Sequence, residues 1–258
     1  MTLEVAVLGL GEAGATIASG LAAAGCAVRG WDPVAAPPGI ERADAPAGAV
    51  AGASLVLSLT TAAHAVEAAE SVAPTLGEGQ LYADLNTTAP VLKREVAAVI
   101  ARTGAGFADV ALLGPVVPAR GVETPALASG GGAGRFAELV GPLGMTVELV
   151  GDEPGDAAGL KLLRSVFMKG LAAAVLESVE GAKARGADDW LRREIAAVLG
   201  EPLLARLLSG TVTHAERRLD EMAAAAAYLE ELGVEPRISR AAAAWLQSLV
   251  VQERGRRG

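Results

Sequence analysis

A doubly wound α/β sheet domain followed by an all-α domain with a long helix between them is the fold class predicted for this 258-residue chain. Three observations predict it. Short, continuously apolar runs alternate with helical periodicity up to about residue 150, the pattern of a parallel sheet covered on both faces. A glycine-rich turn, Gly9-Leu10-Gly11-Glu12-Ala13-Gly14, sits directly between the first such run and the first helical stretch. Beyond Asp156 only helical periodicity remains. The boundary falls at 152/153, giving a sheet domain over 1–152 and a helical domain over 153–258.

In chain order, clear strands are predicted at 3–10, 26–31 and 54–59, with further strands at 79–84, 106–112, 126–129 and 146–150. Helices are predicted at 12–24, 63–76 and 90–103. The next helix runs from 156 to 185, about 45 Å at 1.5 Å per residue. That is too long for one small domain, and residues 170–176 offer almost nothing polar. A helix apolar on most faces packs on two sides, so the expectation is an obligate homodimer formed through the helical domain. Further helices are separated by breaks at Gly186, at Gly200 to Pro202, around Gly210 and at Gly233 to Pro236.

Composition narrows the function classes. With 52% hydrophobic and 20% charged residues, the chain is too apolar for intrinsic disorder. A single cysteine, Cys26, rules out a disulfide framework and multi-cysteine metal sites, is read as a small core residue, and points to a reducing, cytoplasmic setting. A net charge of −8 opposes sequence-independent nucleic-acid binding. The basic tail Arg254, Arg256, Arg257 reads as a solvated end. No signal peptide is expected, nor any uncharged apolar run of about 18 residues that would span a membrane. The abundance of alanine, and of arginine over lysine, fits a GC-rich bacterial genome.

The turn at 9–14 is a G-x-G-x-x-G. After a strand and before a helix, its first glycine permits the tight turn, its second lets the backbone approach a pyrophosphate, and its third lets helix and strand pack closely. The helix N-terminus offers N–H groups and a positive dipole end to the phosphates. Asp32, ending the second strand, can accept hydrogen bonds from both adenosine ribose hydroxyls and repels a 2′-phosphate. NAD is therefore the expected cofactor, with NADP as the alternative through Arg29 or Arg42. No metal site is indicated.

At this point the motifs resemble those of the β-hydroxyacid dehydrogenases, the group that includes 6-phosphogluconate and 3-hydroxyisobutyrate dehydrogenases and is related to the imine reductases. The C-terminal segments are most similar to its phosphogluconate-dehydrogenase-like bacterial branch. The resemblance covers nearly the whole chain. It implies an N-terminal Rossmann domain, a helical C-terminal domain and an oxidoreductase that moves a hydride between nicotinamide and a hydroxyl or carbonyl group. The family's D-x-S-T-x-x-P turn beside the nicotinamide looks matched by Asp84 to Pro90, with Asn86 in the serine position, followed by Thr87. Thr60 and Thr61 lie where the family's loop covers the cofactor. The substrate loop D-A-P-V-S-G-G reads here Asp109-Val110-Ala111-Leu112-Leu113-Gly114-Pro115. Leu113 replaces the serine that holds a substrate carboxylate, and Pro115 replaces a glycine, so a short free β-hydroxy acid fits poorly. The lysine of the catalytic motif looks matched by Lys161, with Ser165 in place of an asparagine one turn later. Positions i and i+4 share a helix face, so both can converge on one substrate oxygen. An apolar setting lowers a lysine's pKa toward the range useful for a general acid or base.

Lys169 either borders the pocket or forms an ion pair. Arg164 either binds an anionic substrate or pairs with a carboxylate. The family's substrate-facing Lys-Asp pair falls on Asp220-Glu221, so that lysine is lost. His214 either meets substrate or caps and packs, His64 reads as loop surface, and Phe167, Met168, Trp190 and Trp245 read as core. Two other functions stay open beside the dehydrogenase: an imine reductase, opposed by the presence of Lys161, and a dinucleotide-sensing protein without catalysis.

Overall fold

The computed structural model describes residues 2–114, 116–117, 121–213 and 215–257; side chains at 210, 212, 213 and 253–257 fall outside the description. The chain forms two compact units, 1–161 and 162–258.

The first unit is built on an eight-stranded sheet: β1 (Glu4–Leu8), β2 (Ala27–Trp31), β3 (Glu41–Arg42), β4 (Leu55–Ser58), β5 (Leu81–Asp84), β6 (Gly106–Leu112), β7 (Ala126–Ser129) and β8 (Val147–Leu149), in the order β3-β2-β1-β4-β5-β6-β7-β8. Between them run α1 (Glu12–Ala23), α2 (Pro46–Val50), α3 (Ala65–Val72), α4 (Pro90–Ala101) and α5 (Ala133–Val140). The central strands are buried on both faces, as their unbroken apolar runs require. One layer of core packs α1 and α5 on the sheet around Ile17, Leu21 and Phe136; the other packs α2, α3 and α4 around Val50, Val72, Val96 and Ile100. All predicted strands form. The predicted helix over 63–76 is α-helical only to Val72 and closes in a 3-10 turn at Ala73–Thr75, because Pro74 lacks the N–H that would continue the ladder.

The sheet is not parallel throughout. β7 pairs antiparallel with β6, in the register Asp109↔Ser129. A parallel return needs a crossover, usually a helix, whereas the described part of the connection 113–125 holds only a 3-10 turn at Gly121–Glu123. The short α2, α5 and the two-residue β3 have no counterpart among the predicted elements.

The helix α6 spans Asp156–Arg185, the bounds expected for it. Its start belongs to the first unit and its remainder to the second, with α7 (Asp188–Leu199), α8 (Glu201–Thr213), α9 (Ala215–Glu231) and α10 (Arg237–Arg257). In the second unit, Leu162, Met222, Ala225 and Leu246 form one apolar cluster and Ala172, Val175, Val179, Leu204 and Leu207 another. The expected break around Gly210 does not occur: α8 runs through it to Thr213. Phe167 and Trp190, read as core, are 67% and 57% exposed. Phe167 lies two residues past buried Ser165, about 200° around the helix. No helix of the described residues is long and apolar enough to cross a membrane.

Candidate functional site

The glycine turn is shaped by contact and by openness. Gly9 has φ +91°, and a Cβ there would lie 2.4 Å from the Leu59 carbonyl oxygen. A Cβ on Gly14 would lie 1.9 Å from the Gly9 oxygen, so α1 meets the turn with no room for a side chain. Around Gly11, by contrast, nothing lies within 4 Å of an added Cβ. No side chain caps α1, so its first-turn N–H groups are left for another acceptor. Leu10, Glu12 and Ala13 complete the turn. A dinucleotide pyrophosphate fits this arrangement: open space at Gly11, close packing behind it and uncapped donors in front.

Asp32 follows β2 beside this turn. Its Oδ2 accepts the Leu10 N–H at 2.8 Å, and its Oδ1 accepts those of Val34 and Ala35 at 2.8 and 2.7 Å. Partial burial works to raise its pKa, but these three donors and the charge of Arg42 outweigh that and hold the carboxyl below its ordinary value. Asp32 is therefore an ionised acceptor. Of the two arginines near it, Arg29 is committed to Glu41 (3.1 Å) and to the carbonyls of Gly48 and Ala51. Arg42 is exposed and donates to the Asp32 carbonyl at 2.8 Å, which leaves it the better placed to meet a 2′-phosphate.

The ends of β4 and β5 carry the next residues. Asn86 is buried, donates to Ser58 Oγ at 3.1 Å and sits 3.3 Å from Thr60 Oγ1. It ties the two strand ends together. Thr61 Oγ1 contacts His64 Nδ1 at 2.7 Å, both exposed. Thr87, next in the turn, is exposed and receives a hydrogen bond from Lys161 Nζ at 2.9 Å. Lys161 is partly exposed, in contrast to the apolar, buried setting expected for it.

In the loop after β6, Leu113 gives its N–H to the Pro125 carbonyl and packs with Ala111, Leu127 and Ala157, while Gly114 is exposed. Pro115 and His214 lie outside the described residues. In the helical unit, Ser165 is buried and its Oγ accepts from Lys169 Nζ at 3.0 Å. Lys169 also pairs with Glu221 at 2.6 Å, and Arg217 reaches the same carboxylate at 3.4 Å. Arg218 donates to Thr211 Oγ1. Lys169 thus supplies from α6 a cation beside Glu221. Arg164 is exposed on α6. Among the described residues no cluster of His, Cys, Asp or Glu could hold a metal ion.

Sequence reading missed a buried charge cluster. Lys93, Asp84 and Asp109 are all fully buried, with Lys93 Nζ 3.4 Å from Asp84 Oδ2 and 3.1 Å from Asp109 Oδ1. A signal was present: Lys93, Val96 and Ile100 follow the i, i+3, i+7 spacing of the core face of α4. Burial pushes the Asp84 carboxyl up; Lys93 pulls it back, Asp109 pushes it further, and the net direction is upward. A raised native value means that the folded state holds this proton more tightly than the unfolded chain does. The associated stability is present below the unfolded carboxylate value and is lost as pH rises through the native one. Asp84→Asn removes that loss and leaves Lys93 and Asp109 paired one to one. Its melting temperature, relative to the wild type, is expected to climb from about pH 4 to neutral. Melts over a pH series check this, and a difference that does not vary with pH would contradict it.

A family profile described as the NAD binding domain of 6-phosphogluconate dehydrogenase matches residues 4–142. The chain belongs to this family. Residues 4–142 are thereby an NAD-binding domain. A second profile, a domain of unknown function (DUF1932), matches residues 182–249. A conserved hypothetical protein from Sinorhizobium meliloti is 32% identical, with 96% of this chain and 88% of that one covered and a TM-score of 0.76. Mycobacterium tuberculosis 3-hydroxyisobutyrate dehydrogenase, solved with L-serine, shares the fold at 20% identity, 97% and 94% coverage and a TM-score of 0.82. So does an Aspergillus terreus reductive aminase solved with NADPH and ethyl levulinate, at 22% identity, 99% and 96% coverage and a TM-score of 0.67. An uncharacterized Methanothermus fervidus protein is 28% identical over 145 residues, 55% of each chain, so the match spans about half the length of that curated relative.

Proposed function

We propose that this protein is an NAD(H)-dependent oxidoreductase interconverting a hydroxyl and a carbonyl group on a small molecule, with Lys161 as general acid and base. The observation that carries this reading is the 2.9 Å contact of Lys161 Nζ with Thr87 Oγ1. Thr87 lies just past the carboxyl end of β5, the end at which open α/β sheets bind their ligands. Gly9, Gly11, Gly14 and Asp32 hold the dinucleotide, which when bound supplies or accepts the hydride. Thr60, Thr61 and Asn86 shape the neighbouring strand ends. Lys161 Nζ takes the hydroxyl proton when the alcohol is oxidised and returns it on reduction, held toward the site by Thr87. Ser165, Arg164, Lys169 and His214 are substrate-contact candidates on the strength of the sequence resemblance, and Lys169 is engaged with Ser165 and Glu221. Leu113 and Pro115 stand in place of the loop serine and glycine that the resemblance assigns to a carboxylate site, which supports a substrate other than the short β-hydroxy acids: larger, less acidic or phosphorylated.

The exposed Phe167, Trp190 and Val198 support a homodimer through the helical unit, since apolar side chains at 57–83% exposure call for a covering surface. Thermal-shift measurements with NAD, NADH, NADP and NADPH test the reading, because a ligand that binds the native state alone stabilises it by RT ln(1 + [L]/Kd). Stabilisation by NAD(H), lost in Asp32→Ala, is the expected result. Stabilisation by NADP(H) alone, lost in Arg42→Ala, would reverse the cofactor preference. No shift with any of the four would end the dehydrogenase reading, and a monomer mass by light scattering would end the dimer. A following screen of carbonyls, alcohols and imines by cofactor absorbance separates alcohol oxidation from imine reduction and from a binding protein without turnover.

A further inference from the structure

The buried ammonium of Lys93 stands at the junction of two segments that the proposed chemistry brings together. On one side, Lys93 Nζ donates to the Asp84 carbonyl at 2.7 Å and faces Asp84 Oδ2, while Asp84 Oδ1 accepts the Asn86 N–H at 2.9 Å. This holds the turn that bears Thr87. On the other side lies Asp109, the in-register partner of Asp84 on β6. Its Oδ2 accepts the N–H groups of Gly155 and Ala158 at 3.1 and 3.0 Å, and the Ser129 hydroxyl, opposite it on β7, donates to that same oxygen and accepts the Ala157 N–H at 3.0 Å. Two side chains of the sheet therefore cap α6. Lys161 lies within the next turn and closes the circuit by donating to Thr87. Among the described residues, Asp84 Oδ2 and Asp109 Oδ1 have no hydrogen-bond donor. The ammonium serves them through charge, and its removal leaves two carboxylates facing each other in a dry interior, a strongly unfavourable arrangement.

We propose that Lys93 is a positioning residue that locks the Thr87 turn to the capped start of α6 and so sets the place of Lys161 Nζ; its bearing on turnover rests on the reading of Lys161 as proton carrier. The test needs no substrate. Lys93, Lys161, Lys169 and Lys183 are the only lysines, so protein labelled with [13Cε]lysine gives one assignable resonance for each. Thr87→Ala marks where the Lys161 signal falls once its contact is gone. In Lys93→Met the Lys161 signal is expected to move to that position. Amide exchange over 155–160 is expected to rise about tenfold, one hydrogen bond's worth, with β1 unchanged. Ser129→Ala, which removes one cap at little cost to the core, is expected to do the same over 155–160 and keeps the test available if Lys93→Met fails to fold. A folded Lys93→Met with the Lys161 signal unmoved, or Ser129→Ala with 155–160 fully protected, overturns the proposal. Exchange raised equally across the sheet unit also overturns it, since that is loss of stability without positioning. If instead Lys161→Met turns substrate over at the wild-type rate, the functional reading fails while these signals stand.

Discussion

Lys161→Met is expected to lower kcat/KM for the alcohol or carbonyl substrate about 10²–10⁴-fold, the usual contribution of a positioned general acid or base. Dinucleotide affinity should be unchanged. Methionine keeps the length and helix propensity of the side chain, and the caps on α6 from Asp109 and Ser129 lie a turn earlier. The substitution therefore removes the nitrogen that meets Thr87 while keeping the bulk of the side chain. An interaction made only as the proton moves costs kcat and kcat/KM equally, so KM should be nearly constant. Steady-state kinetics with a fluorescence titration of NADH checks both halves. Wild-type turnover in the variant would remove Lys161 from the chemistry. Loss of NADH binding together with turnover would make its role structural.

The features legible in the sequence are those that depend on neighbours along the chain. The runs at 3–10, 54–59 and 106–112 are apolar because the sheet is covered on both faces. The ends of α6 are written in Gly155 before it and Gly186 after it, with φ of +106° and +75°. Asp32 and the turn from Asp84 to Pro90 are also local patterns, and so is the spacing of Lys161 and Ser165. What was not legible depends on register between strands. That Asp84, Asp109 and Ser129 line up in one row across β5, β6 and β7 follows from pairing that no local pattern encodes. The antiparallel return of β7 makes the last step of that row, and a run of four residues, Ala126–Ser129, carries no mark of its direction. Lys93 makes sense only once that row is known. In the helical unit, an apolar residue such as Phe167 reads as core by type, yet its place on α6 turns it outward.

Gly14→Ala and Gly11→Ala, two identical substitutions three residues apart, are expected to fail in opposite ways. At Gly14 the new Cβ would sit 1.9 Å from the Gly9 oxygen and 2.9 Å from the Gly9 carbon, both backbone atoms of a turn already pressed against Leu59. Nothing flexible is available to move. Destabilisation of about 3 kcal/mol or more is expected, at the upper end for overpacking, and the sheet unit should melt roughly 10 °C lower. At Gly11 the backbone has φ −63°, open to any residue, and nothing lies within 4 Å of the added carbon. The melting temperature without nucleotide should stay within a degree or two of wild type, since an unstrained glycine replacement loses no native contact. The same methyl stands where a pyrophosphate has to approach the backbone, and NAD(H) affinity should fall about 100-fold, or ~2.7 kcal/mol. Melts with and without NADH separate the two outcomes. If Gly11→Ala bound NADH as the wild type does, the open space at that turn would not be the cofactor's path. If Gly14→Ala were as stable as the wild type, the close approach of α1 to Gly9 would not be the constraint that fixes glycine there.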